Sequence, residues 1–431
     1  MRGGEIDRAG TPRWEPIAAA ALTLAVAALH VLRLVHAGGL WRDEAGAARL
    51  ATLPTLGEIY HLFPHAAFPL LFPAVLRAWS WGTGGGDPAL RAFGLAVGLG
   101  IVGLLWWNAR ATAKTVPILS LALLGLDVPF LVYGDAVRGY GLGSGFLLLT
   151  YGLLARGLVG SGRTRGRTRT DTLAMAATAF AAVASVQVVL GNAALLFALC
   201  AAAATVAAVR RRWGQVGWSL GYGALAALSL LPYAGPLAAA RRQWSFIVVY
   251  PIRFGRLRNA FLSTLGPPAV RWVWLLLLVA GLAALVREWR RGEPPGKPGM
   301  PGMHDAALFA ALTLVLALLA NGAFLKVLGY SPRPWYFLPL LALLGTALDT
   351  LGGALSRSGG RFALLKGAAV CLVAGMQLVP LARYATLRQT NVDLVARQVA
   401  RPRGGTTGRT SPPGRGSSAP FWRSTRPAPP T

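Results

Sequence analysis

Residues 14–45 read WEPIAAAALTLAVAALHVLRLVHAGGLWRDEA, and this stretch decides what kind of protein the chain can be. Its first part, 15–36, is an apolar run of the length that crosses the roughly 30 Å hydrocarbon core of a bilayer as an α-helix. A helix satisfies its own backbone polar groups, which lipid cannot do for it. The run is too long, and too poor in small-residue cleavage signals, for a removed secretory leader, so it reads as an anchor. Directly after it comes Leu40-Trp41-Arg42-Asp43-Glu44-Ala45, two adjacent carboxylates beside a cation at the membrane surface.

Working outward, runs of the same kind recur near 90–108, 115–132, 140–159, 172–190, 192–209, 215–236, 270–286, 306–326, 336–354 and 363–380. With 54% hydrophobic and 13% charged residues in 431, the chain has more apolar surface than a water-soluble fold can hide. The fold expected is an all-α polytopic membrane protein with about eleven transmembrane helices. The net charge of +28 would suit nucleic acid, but Lys and Arg sit in short clusters between apolar runs, which excludes that partner and points to membrane lipids.

Those clusters set the orientation. Arg2, Arg8 and Arg13, Arg110 and Lys114, Arg163 to Arg169, Arg210 to Arg212, Arg287 to Lys297, and Arg357, Arg361 and Lys366 all fall on one face. By the positive-inside rule that face is the cytoplasm of a bacterial-type plasma membrane, with the C-terminus outside. The domains expected are a cytoplasmic N-terminus (1–14), a transmembrane domain (15–380) with a long first outer loop (37–89), an outer amphipathic segment (381–400) and a disordered Arg/Pro/Gly-rich tail (401–431). Within the outer loop, 66–82 is apolar but broken by Pro69 and Pro73 and carries Trp79 and Trp81, so it reads as interfacial helix, not as a span.

Chemistry is expected on the outer side. At that depth Asp43 and Glu44 can serve as a general base, as metal ligands or as one half of a surface salt bridge. The chain has only 15 acidic residues, which makes a pair at the mouth of the first helix notable. His61 and His65 have i, i+4 spacing, although loop histidines are more often interfacial polar groups. Gly82-Thr83-Gly84-Gly85-Gly86 lacks the Lys-Ser or Lys-Thr of a phosphate loop and is a turn. Cys200 and Cys371 lie inside apolar runs and support neither a disulfide framework nor a thiolate metal site. Gly141, Gly145 and Gly152 suit close helix packing.

The order of a first span, the Asp43-Glu44 pair, Phe68-Pro69-Leu70, Asp87-Pro88-Ala89-Leu90-Arg91 and then Tyr133-Gly134-Asp135-Ala136-Val137-Arg138-Gly139-Tyr140 resembles the GT-C superfamily of membrane glycosyltransferases. The branch it is most similar to holds the protein O-mannosyltransferases and the bacterial lipid A aminoarabinose transferases. The resemblance implies that Asp43, with Glu44 beside it, is the catalytic base or acceptor-positioning group. It implies that Asp135, Arg138 and Tyr140 belong to a second outer loop at the substrate. Ser331-Pro332-Arg333-Pro334-Trp335-Tyr336 resembles the Arg-Tyr pair that many members place before a late helix.

The implied donor is a polyprenyl-phosphate-linked sugar, whose leaving phosphate calls for cations at membrane depth. Arg42, Arg138, Lys326 and Arg333 are the candidates, with Tyr140 and Tyr336 as further substrate contacts. The outer loop from Arg241 to Pro268 adds Arg241, Arg242, Arg253, Arg256 and Arg258. A divalent metal ion is a candidate cofactor, with Asp43, Glu44 and Asp135 as its candidate ligands. The abrupt change at Arg401 is expected to stand where relatives carry a small outer domain, and no motif reports the oligomeric state. A lipid-linked-sugar flippase is the alternative reading; it would show paired halves with interrupted helices near the midplane, and no internal repeat is visible. A scaffold, or a degenerate enzyme, would tolerate loss of Asp43.

Overall fold

The computed structural model describes residues 13–63, 68–160, 169–243, 245, 252–290, 303–355 and 360–400. The expectations placed on 1–12, on His65, on most of the basic run 163–169, on 291–297, on Arg357 and on the tail 401–431 lie outside them. Among the described residues every regular element is helical.

The first span is helix α1, Trp14–His36. The long connection after it folds as three short helices, α2 (Arg42–Ala51), α3 (Leu56–His61) and α4 (Leu71–Thr83). At 13 residues α4 is too short to cross a bilayer, as its prolines and tryptophans implied. Then follow α5 (Asp87–Ala113), α6 (Gly139–Gly160), α7 (Arg169–Val188), α8 (Asn192–Val209), α9 (Trp213–Ser229) and α10 (Ala234–Gln243). The chain continues with α11 (Phe254–Thr264), α12 (Pro268–Arg290), α13 (Met303–Leu328), α14 (Leu338–Leu355) and α15 (Gly360–Ala385). The amphipathic helix α16, Val392–Ala400, belongs to a second compact unit that begins at Val392.

Among the described residues eight helices are long and apolar enough to cross a membrane, α9 and α10 counting as one, and nine if α11 and α12, bent by 97° at Leu265–Pro267, form a single span. The chain is thus a multi-pass membrane protein. Two of the eleven expected segments differ in form. The run 336–354 is α14, a shorter apolar helix buried along nearly its whole length. The run 115–132 is no continuous helix: a single turn (Ile118–Ser120) leads into two π-helical stretches, Leu121–Gly125 and Phe130–Gly134. Pro117 and Pro129 lack the N–H that an α-helix needs, which accounts for the break. Asp127 lies buried at its centre.

The core is formed by α5, α6, α8, α13 and α14 packed side by side, with α1 and α15 joined to the broken segment on one flank. Several buried polar groups are paired across these contacts. Asp349 of α14 accepts from the amides of Leu119 (2.8 Å) and Ser120 (3.1 Å) where the broken segment begins. Thr350 receives Tyr151 (2.9 Å) and lies 3.1 Å from Thr112. Gly152 lets α6 approach α5, since a Cβ there would overlap Asn108 and Trp107. Gly145 makes no such close approach. At the end of the bundle opposite the first loop, Asp305 is held by Arg210 (2.7 Å) and Arg212 (3.0 Å), and Glu15 of α1 meets Lys366 of α15 at 2.6 Å, all but Arg210 and Arg212 being fully buried.

Candidate active site

The site grows from the start of α2. Trp41 is extended, and Glu44, three residues on, reaches back to accept from its amide (3.1 Å) where the helix starts at Arg42. Asp43 and Glu44 therefore fall in the first turn, at the positive end of the helix dipole. Adjacent on the helix, they point to different neighbours. Glu44 is fully buried: Oε1 accepts from Arg91 (2.9 Å) and from the amide of Val137 (3.1 Å), and the other arm of Arg91 reaches the carbonyl of Gly39 (2.7 Å). It thus ties α2, α5 and the connection 135–138 together.

Asp43 keeps a partly exposed carboxylate, with Arg42 Nε at 3.2 Å and Arg138 at 3.9 Å. Arg138 also donates to the Asp43 carbonyl (3.0 Å) and lies over the rings of Phe68 (4.6 Å) and Tyr140 (5.8 Å). Tyr140 in turn meets Trp335 (6.3 Å) and Tyr336 (6.2 Å), and Tyr133 meets Trp335 edge-on at 5.2 Å. Asp43, Arg42, Arg138, Tyr140 and Tyr336 therefore share one place. Arg333, exposed, precedes the turn Pro334–Tyr336 at its rim. Lys326 is directed elsewhere, to the carbonyl of Ile252.

Asp135 does not join Asp43. Its carboxylate lies 2.6 Å from Nδ1 of His30, a fully buried residue of α1. Burial pushes the Asp135 carboxyl above the ordinary carboxylate range, and His30, Arg33 and Arg91 pull it back down. Asp43, Glu44 and Asp135 thus each face different partners. Among the described residues no three His, Cys, Asp or Glu side chains gather where they could hold a metal ion. His30 and Arg33, buried at this end of α1 beside Arg91 of α5, are not singled out by the sequence, and Arg91 only as the end of the stretch 87–91. Their signal was present: an ionisable residue inside an apolar run is costly and so has a partner.

A second feature lies beyond the aromatic rings. Phe261 of α11 touches Phe337, next to Tyr336, at 5.6 Å. Phe261 is also a wall of an apolar groove of about 360 Å³ between α11, α12, α13 and α14, lined by Leu275, Leu278, Leu314, Leu318 and Leu348. Arg271, which donates to the Gly266 carbonyl (2.8 Å), is the charged residue of its lining.

No protein-family model matches the chain, and no curated protein matches it in sequence. Solved structures do match its fold. ArnT from Cupriavidus metallidurans bound to undecaprenyl phosphate superposes with a TM-score of 0.50 at 16% identity, over 83% of this chain and 64% of that one. The Archaeoglobus fulgidus oligosaccharyltransferase AglB, in complex with an inhibitory peptide and a dolichol-phosphate, gives 0.50 at 12% identity, over 91% and 58%. The chain spans less than two thirds of the length of either. The fold of this chain is thus the one that these two membrane proteins share.

Proposed function

We propose that this protein is a membrane glycosyltransferase that moves a sugar from a polyprenyl-phosphate-linked donor to a lipid, glycan or protein acceptor on the extracytoplasmic face, with Asp43 as base. The observation that carries the reading is the Asp43 carboxylate: partly exposed, fixed in the first turn of α2, and adjoined by Arg138, which lies over Tyr140, whose ring in turn meets Trp335 and Tyr336. The GT-C fold supports the reaction class, and the two superposed proteins hold undecaprenyl phosphate and dolichol-phosphate. The groove headed by Arg271 has the chemistry such a donor needs, an apolar channel for the prenyl chain with a cation on its lining.

In the reaction, an acceptor hydroxyl or amine attacks the anomeric carbon as its bond to the phosphate oxygen breaks. The acceptor proton passes to Asp43, and the phosphate departs with the prenyl chain. Positive charge on the sugar ring rises in the transition state, where the Asp43 carboxylate is favourable. Arg138 and Arg333 offset the charge growing on the leaving phosphate. Glu44 builds the site and takes no proton in this scheme. No step is routed through a metal ion.

One observation speaks for the transport reading: the interrupted segment 118–134 with Asp127 buried at its centre. Transfer and transport differ in product, since a flippase leaves the sugar–phosphate bond intact. The test is transfer of radiolabelled sugar from a panel of polyprenyl-phosphate donors in membranes holding the native chain or Asp43→Asn at equal abundance. Transfer by the native chain that falls to background in the variant is expected. Equal transfer by both removes Asp43 as base, and intact donor accumulating in the opposite leaflet replaces the enzyme reading with transport.

A further inference from the structure

The connection between the broken segment and α6 is fastened at three residues within four: Asp135 to His30, Val137 to Glu44, and Arg138 to Asp43. We infer that His30 and Asp135 form a positioning pair whose job is to hold Arg138 against Asp43; its catalytic consequence rests on the function proposed above.

The seat of Asp135 is shaped on two sides. On one, His30 presents Nδ1 at 2.6 Å, and its ring is set edge-on against Phe130 at 4.8 Å, which fixes the direction of that nitrogen. A single proton lies between Nδ1 and Oδ2. On the other side, α5 carries Gly94 and Gly98 where the connection crosses it. A Cβ at Gly94 would overlap the Asp135 carbonyl, and one at Gly98 would overlap its carboxylate. Both glycines are therefore required for the approach, and the approach delivers the carboxylate to His30.

From this seat to Arg138 there are three peptide units, and the amide between them, Val137, is itself bonded to Glu44. Little slack remains, so the position of Asp135 sets the reach of Arg138. Simple packing does not account for the pair. Asp135 and His30 each leave one buried polar atom, Oδ1 and Nε2, without a hydrogen-bond partner among the described residues, a cost that two apolar side chains would avoid. A buried polar pair that is retained at such cost is suited to fixing one register of a connection against its alternatives.

The test uses the full chain purified in detergent and reads amide hydrogen exchange at Val137, which needs no substrate. His30→Phe keeps the bulk and removes the donor. His30→Asn keeps an N–H where Nδ1 stands. Gly98→Ala leaves both polar partners and fills the seat. Exchange at Val137 is expected to quicken by about tenfold or more in His30→Phe and Gly98→Ala, with α1 and α6 as protected as before, and to stay within about twofold of native in His30→Asn. In the transfer assay His30→Phe is expected to lower kcat about tenfold or more with little change in donor KM, and His30→Asn to recover most of that loss.

Native protection of Val137 in both His30→Phe and Gly98→Ala overturns the proposal, as does equal loss in His30→Asn and His30→Phe. If His30→Phe does not fold, Gly98→Ala against His30→Asn decides. Absence of transfer by the native chain with every donor defeats the proposed function alone, because the exchange result still stands or falls by itself.

Discussion

Asp43 and Glu44 show how far two neighbouring carboxylates diverge once each has its own surroundings. One is partly exposed between two arginines; the other is buried and bonded to Arg91, Val137 and Trp41. Removing one partner of a buried ion pair leaves the other charge uncompensated, at roughly 3–5 kcal/mol. Glu44→Ala is therefore expected to lower the thermal unfolding midpoint in detergent by several degrees, whereas Asp43→Asn leaves it near native. A midpoint that moves equally in both would reverse the assignment of the two roles. The sequence was informative about Asp43, Arg138 and Tyr140, which lie together. It was silent on which carboxylate stays open, because that depends on Arg91 and Val137, distant in the chain. His30 and Arg33 passed unnoticed because they lie inside an apolar run whose length alone spoke for a span.

Among the elements, hydropathy located the spans well, since length and apolarity are what lipid selects. It failed where a run of the right composition carries backbone breakers. In 115–132 the residues Pro117, Asp127 and Pro129 marked the interruption, and averaging over the run concealed them. The bend between α11 and α12 was marked likewise by Gly266-Pro267-Pro268. Contacts between helices were legible only in part: of the three α6 glycines expected at close packing, Gly141 and Gly152 meet neighbours closely and Gly145 does not. Gly152→Val must push α6 away from Asn108 and Trp107, an overpacking cost of about 1–3 kcal/mol. Gly145→Val meets only ordinary contact with Leu104. The first variant is expected to lose folded yield and thermal stability in detergent, the second to keep both; similar behaviour of the two would mean that α5 and α6 are less closely set than described.

At the scale of the whole molecule, one end of the bundle carries α2, Arg138 and the aromatic cluster, and the other carries Arg210, Arg212 and the buried pair of Glu15 and Lys366. The orientation proposed places the first end outside the cell. A cysteine at Gly46, which stands in open space, is expected to react with a membrane-impermeant maleimide in intact cells, and one at Arg211 only after permeabilisation. The opposite pattern would place the site in the cytoplasm and remove the extracytoplasmic part of the proposal. The Glu15–Lys366 pair has a consequence of another kind, for biogenesis. Glu15 emerges from the ribosome with the first helix, and its partner is synthesised some 350 residues later. Until then the insertion machinery must shelter a carboxylate that has not yet met its cation. Helix α1 is thus made well before it can be fully seated, and the closing of the bundle by α15 completes a contact that α1 left open.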